Sequence, residues 1–142
     1  MKSVAQLLKA RPAGVASVGP SASVLEALEL LVQRNIGAVL VMDGSRLLGV
    51  FSERDYARRV ALQGKPPVTT RVSEVMTREV IFVTPEHTNE ECMALMTEKH
   101  VRHLPVLSAN QVVGILSIVD LVKDTISEQE FIISQLVHYI HG

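Results

Sequence analysis

Apolar residues along the chain switch repeatedly between a helical period and short continuous runs. From Lys2 to Ala10, Val4, Leu7 and Leu8 share one helical face, and Pro12 and Gly14 end the pattern. Val15 to Val18 predicts a short strand. Ser23 and Glu26 form a capping-box signature, and Val24, Leu25, Ala27, Leu28, Leu31 and Val32 then line a helix running to about Arg34. After Gly37, Ala38 to Met42 is a continuous apolar run, the pattern of a strand covered on both faces. Asp43-Gly44-Ser45 predicts a turn, and Leu47 to Phe51 the returning strand of an antiparallel hairpin. Ser52 then opens a helix to about Leu62, and Gly64-Lys65-Pro66-Pro67 reads as a linker.

The order then starts again. Val72 to Met76 matches Val4 to Leu8, and Val80 to Val83 matches the first short strand. Pro20 returns as Pro85, and from there a gapless offset of 65 holds: Ser23 with Thr88, Glu26 with Glu91, Val41 with Val106, Gly49 with Gly114, Ser52 with Ser117, Asp55 with Asp120. Caps, helix face and strands coincide together, which identifies an internal duplication. The expected architecture is α+β, two units of β-α-β-β-α each preceded by a short helix. Residues 1–65 form the first unit and 66–126 the second. Half of such a chain has a small core, so the two units should bury their sheets against each other. Residues 127–142 lie outside the repeat. There Ser127 and Glu130 resemble another capping box, predicting a separate helix to Ile140 with Phe131, Ile132, Leu136 and Tyr139 near one face.

Composition narrows the function classes. Hydrophobic residues are 47% and aromatics 4% of the 142 residues, so the core must be aliphatic. A net charge of −1 does not favour nucleic acid or an acidic membrane as the main partner. No apolar run approaches membrane-spanning length and no secretory signal is visible, so a cytoplasmic protein is expected. Cys92, the single cysteine, falls in an apolar helical stripe and is expected in the core. His138 and His141 lack a third ligand nearby, and no metal requirement is expected. The basic run Arg46, Arg54, Arg58, Arg59, Lys65 and Arg71 is either a solvated face or an edge facing phosphate.

The chemistry concentrates in the repeated heptapeptide, Gly49-Val-Phe-Ser-Glu-Arg-Asp55 and Gly114-Ile-Leu-Ser-Ile-Val-Asp120. Ser-x-x-Asp at a strand-to-helix junction can be a capping box and nothing more. The same groups can also grip a ribose phosphate: a hydroxyl at a helix start for phosphate, a carboxylate for the ribose hydroxyls. Arg54 adds a forked cation to the first copy, where the second has Val119. Arg102-His103 before the second hairpin is either a surface pair or a further phosphate contact. No nucleophile–base pair, metal set or P-loop is visible, so no catalysis is expected.

The duplicated unit, the two Gly-h-h-Ser-x-x-Asp copies, Val101-Arg-His-Leu-Pro-Val106 and Val75-Met-Thr77 together resemble a tandem pair of CBS (cystathionine-β-synthase) domains, a Bateman module of the stand-alone bacterial type. The resemblance covers about residues 1 to 125. It implies an energy-sensing regulatory module that binds an adenine nucleotide such as AMP, ATP or NAD in clefts between the units. Carried over, the first and preferred cleft would use Val50, Ser52, Arg54 and Asp55, with Thr77, Ile81, Arg102 and His103. The second, weaker cleft would use Ile115, Ser117 and Asp120, with Lys9, Ala16 and Gly37. The resemblance also implies a homodimer formed through Val24 to Arg34, Ser52 to Leu62 and their second-unit equivalents, and a possible unknown regulated protein. The alternative is a non-catalytic dimerisation or interaction module with vestigial sites.

Overall fold

The computed structural model describes residues 2–10 and 14–141. Pro12, expected to help end the first helix, lies outside the described residues. The elements follow the predicted order. A short helix α1 (Val4–Lys9) precedes strand β1 (Ser17–Val18), helix α2 (Val24–Arg34) and the hairpin β2 (Ala38–Asp43) and β3 (Arg46–Ser52). After one helical turn α3 (Glu53–Asp55) and a π-helical segment π1 (Tyr56–Ala61) come α4 (Val72–Val75) and α5 (Asn89–Lys99). The hairpin β4 (His103–Ser108) and β5 (Gln111–Ser117) and a long helix α6 (Ile118–His141) complete the chain.

Local chemistry explains the boundaries. Ser23 caps α2 and Thr88 caps α5, each exchanging bonds with the glutamate three residues on. Both helices stop at a left-handed residue, Asn35 at φ 52° and His100 at φ 55°. The hairpins share one register: Val41 faces Gly49 and Val106 faces Gly114, with an irregularity just after each pair. In the first sheet β1 lies parallel to β2 and the order is β1-β2-β3.

Three expectations are corrected. Val80–Val83 is not a strand; a single bridge joins Val83 to Val106. The cause is Pro105. In the first half Leu40 donates its N–H to the Ala16 carbonyl at 3.1 Å, and the residue at Leu40's place in the second half is a proline, which has no N–H. The helix expected over Ser52–Leu62 is a single α-turn followed by π-helix, with Leu62 N–H bonding back five residues to Ala57 at 3.1 Å. Ser127 starts no helix, because α6 passes through it unbroken. The apolar face there continues a helix already nucleated and packed at Leu121, so no new start is required.

The two cores do not coincide with the two sequence repeats. The first contains Val24, Val39, Phe51 and Val60 with Val72 and Val75 from α4 and Met76 just after it. The second contains Val83, Cys92, Leu104, Leu116 and Leu121 with Val4 and Leu7 from α1. Each half has thus given its short helix to the other. Backbone bonds hold both exchanges: Val4 N–H to the His87 carbonyl (2.7 Å) and Val72 N–H to the Ala22 carbonyl (2.8 Å). Cys92 is fully buried, as expected, and burial pushes its thiol up to about 11. Among the described residues, no helix is long and apolar enough to cross a membrane.

Candidate functional site

Exchange of the short helices brings residues from both halves to the heptapeptides. At the end of β3, Ser52 Oγ accepts the Asp55 N–H (3.2 Å), while Asp55 Oδ2 accepts the Ser52 N–H (2.9 Å) and hydroxyl (3.0 Å). The capping box read from the sequence is therefore closed. Across from it, Thr77 pairs with Val50 through two backbone bonds, 2.8 and 3.0 Å, extending the β3 edge after α4. The Thr77 hydroxyl donates to Asp55 Oδ1 at 2.9 Å. Asp55 is 8% exposed and is held from both halves of the molecule.

Gly49 makes this approach possible. A Cβ there would stand 2.7 Å from the Thr77 carbonyl oxygen and 2.7 Å from the Met76 sulfur. Gly114 plays the same part for α1, since its Cβ would meet Leu8 Cδ2 at 2.6 Å. The glycine that opens each heptapeptide thus admits the end of the exchanged helix.

The second heptapeptide repeats the inner geometry. Asp120 Oδ2 accepts the Ser117 N–H (2.7 Å) and hydroxyl (3.0 Å), and Ser117 Oγ accepts the Asp120 N–H (3.3 Å). Ile115 lies half-buried on β5 at the place of Val50, and Lys9 is exposed at the end of α1. Ala16 bonds β2 and packs on the first core, and Ile81, its counterpart, packs on the second.

The residues expected near phosphate divide. Arg54 does not turn toward Ser52 and Asp55 but donates to the His100 carbonyl at 2.7 Å, at the carbonyl end of α5. His103 starts β4 opposite Ser117 and its ring lies against Gly37, where a Cβ would meet ring atoms at 3.1 Å and a Glu53 carboxylate oxygen at 3.4 Å. Gly37 and His103, assigned to different clefts from the sequence, therefore meet at the centre. Burial holds the His103 imidazole below its ordinary 6.5, with Arg102 acting in the same sense and Asp120 and Glu53 opposing. Arg102 is exposed, and its carbonyl accepts the Ile118 N–H (2.9 Å) as Gly37's accepts that of Glu53 (3.1 Å).

Sequence reasoning counted Arg59 only in the basic run and gave it no contact of its own. Its guanidinium donates to the Met76 carbonyl (2.8 Å) and stands 4.0 Å from Asp55 Oδ1. The i,i+4 spacing to Asp55 was a usable signal; the Met76 contact depends on the exchange. A second missed group is buried. Asn89 Nδ2 donates to Asp124 Oδ2 (2.9 Å) and to the Leu121 carbonyl (3.1 Å), and Lys2 Nζ reaches Asp124 Oδ1 at 2.8 Å. Burial pushes the Asp124 carboxyl up, but the bonds from Lys2 and Asn89 outweigh it and hold the group below 3.8. Among the described residues, no group of three or more His, Cys, Asp or Glu could hold a metal ion.

Comparison with known proteins identifies the family. The CBS-domain family model matches residues 10–62 and 72–126. The chain is 36% identical over 115 residues to the CBS domain-containing protein YhcV of Bacillus subtilis, covering 81% of each. It is 35% identical over 125 residues to the mitochondrial CBS domain-containing protein CBSX3 of Arabidopsis thaliana, covering 84% of this chain but only 61% of that relative. A solved putative signal-transduction protein with CBS domains from Burkholderia ambifaria superposes with a TM-score of 0.87 at 46% identity, over 90% of this chain and 96% of that one. The fold is also that of a Pyrobaculum aerophilum CBS domain protein complexed with AMP, at a TM-score of 0.74 and 24% identity, over 83% and 88% of the two chains. With two matched repeats, a shared pair architecture and relatives of this identity, the chain belongs to the CBS-domain family, as a tandem pair.

Proposed function

We propose that the chain is a cytoplasmic regulatory module that binds an adenine nucleotide (AMP, ATP or NAD) and performs no chemistry. The preferred cleft is at Ser52 and Asp55. The observation that carries this reading is the nearly buried Asp55 carboxylate, which Ser52 and Thr77 approach from different halves. A carboxylate in that setting can accept ribose hydroxyls in place of the Thr77 hydroxyl, and charged hydrogen bonds of this kind contribute roughly 1.5–3 kcal/mol each. The AMP bound by the Pyrobaculum protein supports the ligand class. The second heptapeptide has Lys9 where the first has Thr77, whose hydroxyl meets Asp55, so the first cleft is the stronger of the two. A homodimer through α2 and π1 fits the open groove of about 440 Å³ lined by Leu28, Val32, Ile36 and Tyr56.

The second reading is an interaction module whose Ser-x-x-Asp copies are caps only. The closed capping box at Ser52 favours it, since it satisfies the carboxylate without a ligand. Thermal melting separates the two. AMP, ATP or NAD at a hundredfold excess over Kd is expected to add about 2.7 kcal/mol of stability. Asp55→Ala destabilises the ligand-free chain by about 1–3 kcal/mol, since Ser52 and Thr77 lose their acceptor, and also removes the nucleotide increment. If no adenine nucleotide shifts the wild-type melting point, the sensor reading is wrong. If Asp120→Ala alone removes the increment, the ligand sits in the other cleft.

A further inference from the structure

Helix α6 runs far past the body that anchors it. Its buried residues, Leu121 and Asp124, face the second core and the Lys2–Asn89 cluster. Beyond Glu128 every described residue is exposed. Helical segments of that length are marginal in water without packing.

The outward face carries a regular seam. Val119, Val122, Ile126, Ile133, Leu136 and Ile140 recur at alternating steps of three and four, with Gln129 filling the one polar step. That is a 3.5-residue period, which belongs to helices that supercoil around a partner helix rather than to one lying on its own globular body. At 100° per residue the seam points about 110° away from Leu121 and about 170° away from Asp124, so anchoring the helix leaves the seam clear of the body. Its apolar members are 41–72% exposed. Val137, also exposed, flanks the seam.

We propose that this seam pairs with the same seam of a second copy of the chain, forming a coiled coil that joins two modules through their α6 helices. Gln129 identifies the occupant. It sits at the middle of the seam, with three apolar positions on either side. In a self-pair it therefore meets its own counterpart whether the helices run parallel or antiparallel, and the two amides satisfy each other. Against an apolar helix of another protein the same amide would be buried without a partner. A single central polar residue also sets the register of such a pair. The contact is separate from the groove between α2 and π1, and does not depend on the nucleotide reading.

Cysteine cross-linking on the full chain tests this. Cys92 is buried and does not compete. Gln129→Cys under mild oxidation is expected to give a disulfide-linked dimer, because a disulfide needs Cα atoms within about 7 Å. Ser127→Cys, off the seam, is expected to give none. Ile133→Glu with Leu136→Glu, at exposed positions, is expected to abolish the Gln129→Cys cross-link while the circular dichroism of the module is kept. If Gln129→Cys does not cross-link above Ser127→Cys, the pairing is wrong. A Gln129→Cys cross-link that survives in the double variant overturns it equally, even should that variant melt earlier than the parent.

Discussion

Arg59 and Asp124 occupy the same place in the two halves, four residues after the heptapeptide aspartate, and carry opposite charges. Arg59 holds the outgoing end of α4 by its Met76 carbonyl; Asp124 holds the chain entering α1 through Lys2. Around them the backbone is repeated closely, including registers, caps, left-handed helix ends and both exchanges. The comparison teaches that the duplication preserved the exchange while its pins diverged. A helix end presents carbonyls and favours a cation, whereas a chain entering a helix with a lysine favours an anion. The helices that follow diverge as well: π1 stops at Ala61, and α6 continues to His141.

Unequal glycines give the largest expected difference between the halves. Gly49→Ala forces a Cβ against the Thr77 backbone, and should cost about 1–3 kcal/mol in urea denaturation. Gly114→Ala meets only the tip of the Leu8 side chain, which can rotate away, and should cost clearly less. Equal costs would mean that the two exchanges are held equally rigidly. Next come the pins. Asp124→Ala strips a buried amide and a lysine of their acceptor and should cost about 1–3 kcal/mol. Arg59→Ala acts through a half-exposed side chain and should cost at most about 1 kcal/mol.

The smallest effect is a difference in pH response. Asp124 is held below 3.8, so its stabilisation is present above that pH and is lost as pH falls through its lowered folded value. His103 is held below 6.5, so the unfolded chain takes up the proton first. Its contribution is complete above pH 6.5 and is lost as pH falls from there toward the folded value. Urea midpoints against pH should therefore decline in two separate windows. His103→Gln should flatten the upper one alone. A slope that survives in that variant would place the titrating group elsewhere.

Much of the candidate site was legible because its members are close in sequence. Ser52 and Asp55 are three residues apart, and a capping box depends on that spacing alone. Thr77 was reached by resemblance. The contact of Arg59 was not found because its main acceptor is a backbone carbonyl 17 residues away, and any residue can supply a carbonyl. Arg54 was expected at phosphate from its neighbours in sequence, yet its guanidinium ends on His100 from the other half. The long continuation of α6 was hidden by Ser127, whose spacing to Glu130 imitates a helix start that the packed helix overrides.

What the sequence determined by itself was the order of most elements, their duplication and the two hairpins. These rest on period, caps and turns within a few residues, where local sterics and hydrogen bonding decide. Which core each short helix joins was decided only in three dimensions. Val4, Leu7 and Val72, Val75 are equally apolar and could serve either half. The choice follows from where the glycines leave room and where the flanking backbone finds its hydrogen bonds, and neither is a property of any local stretch of chain.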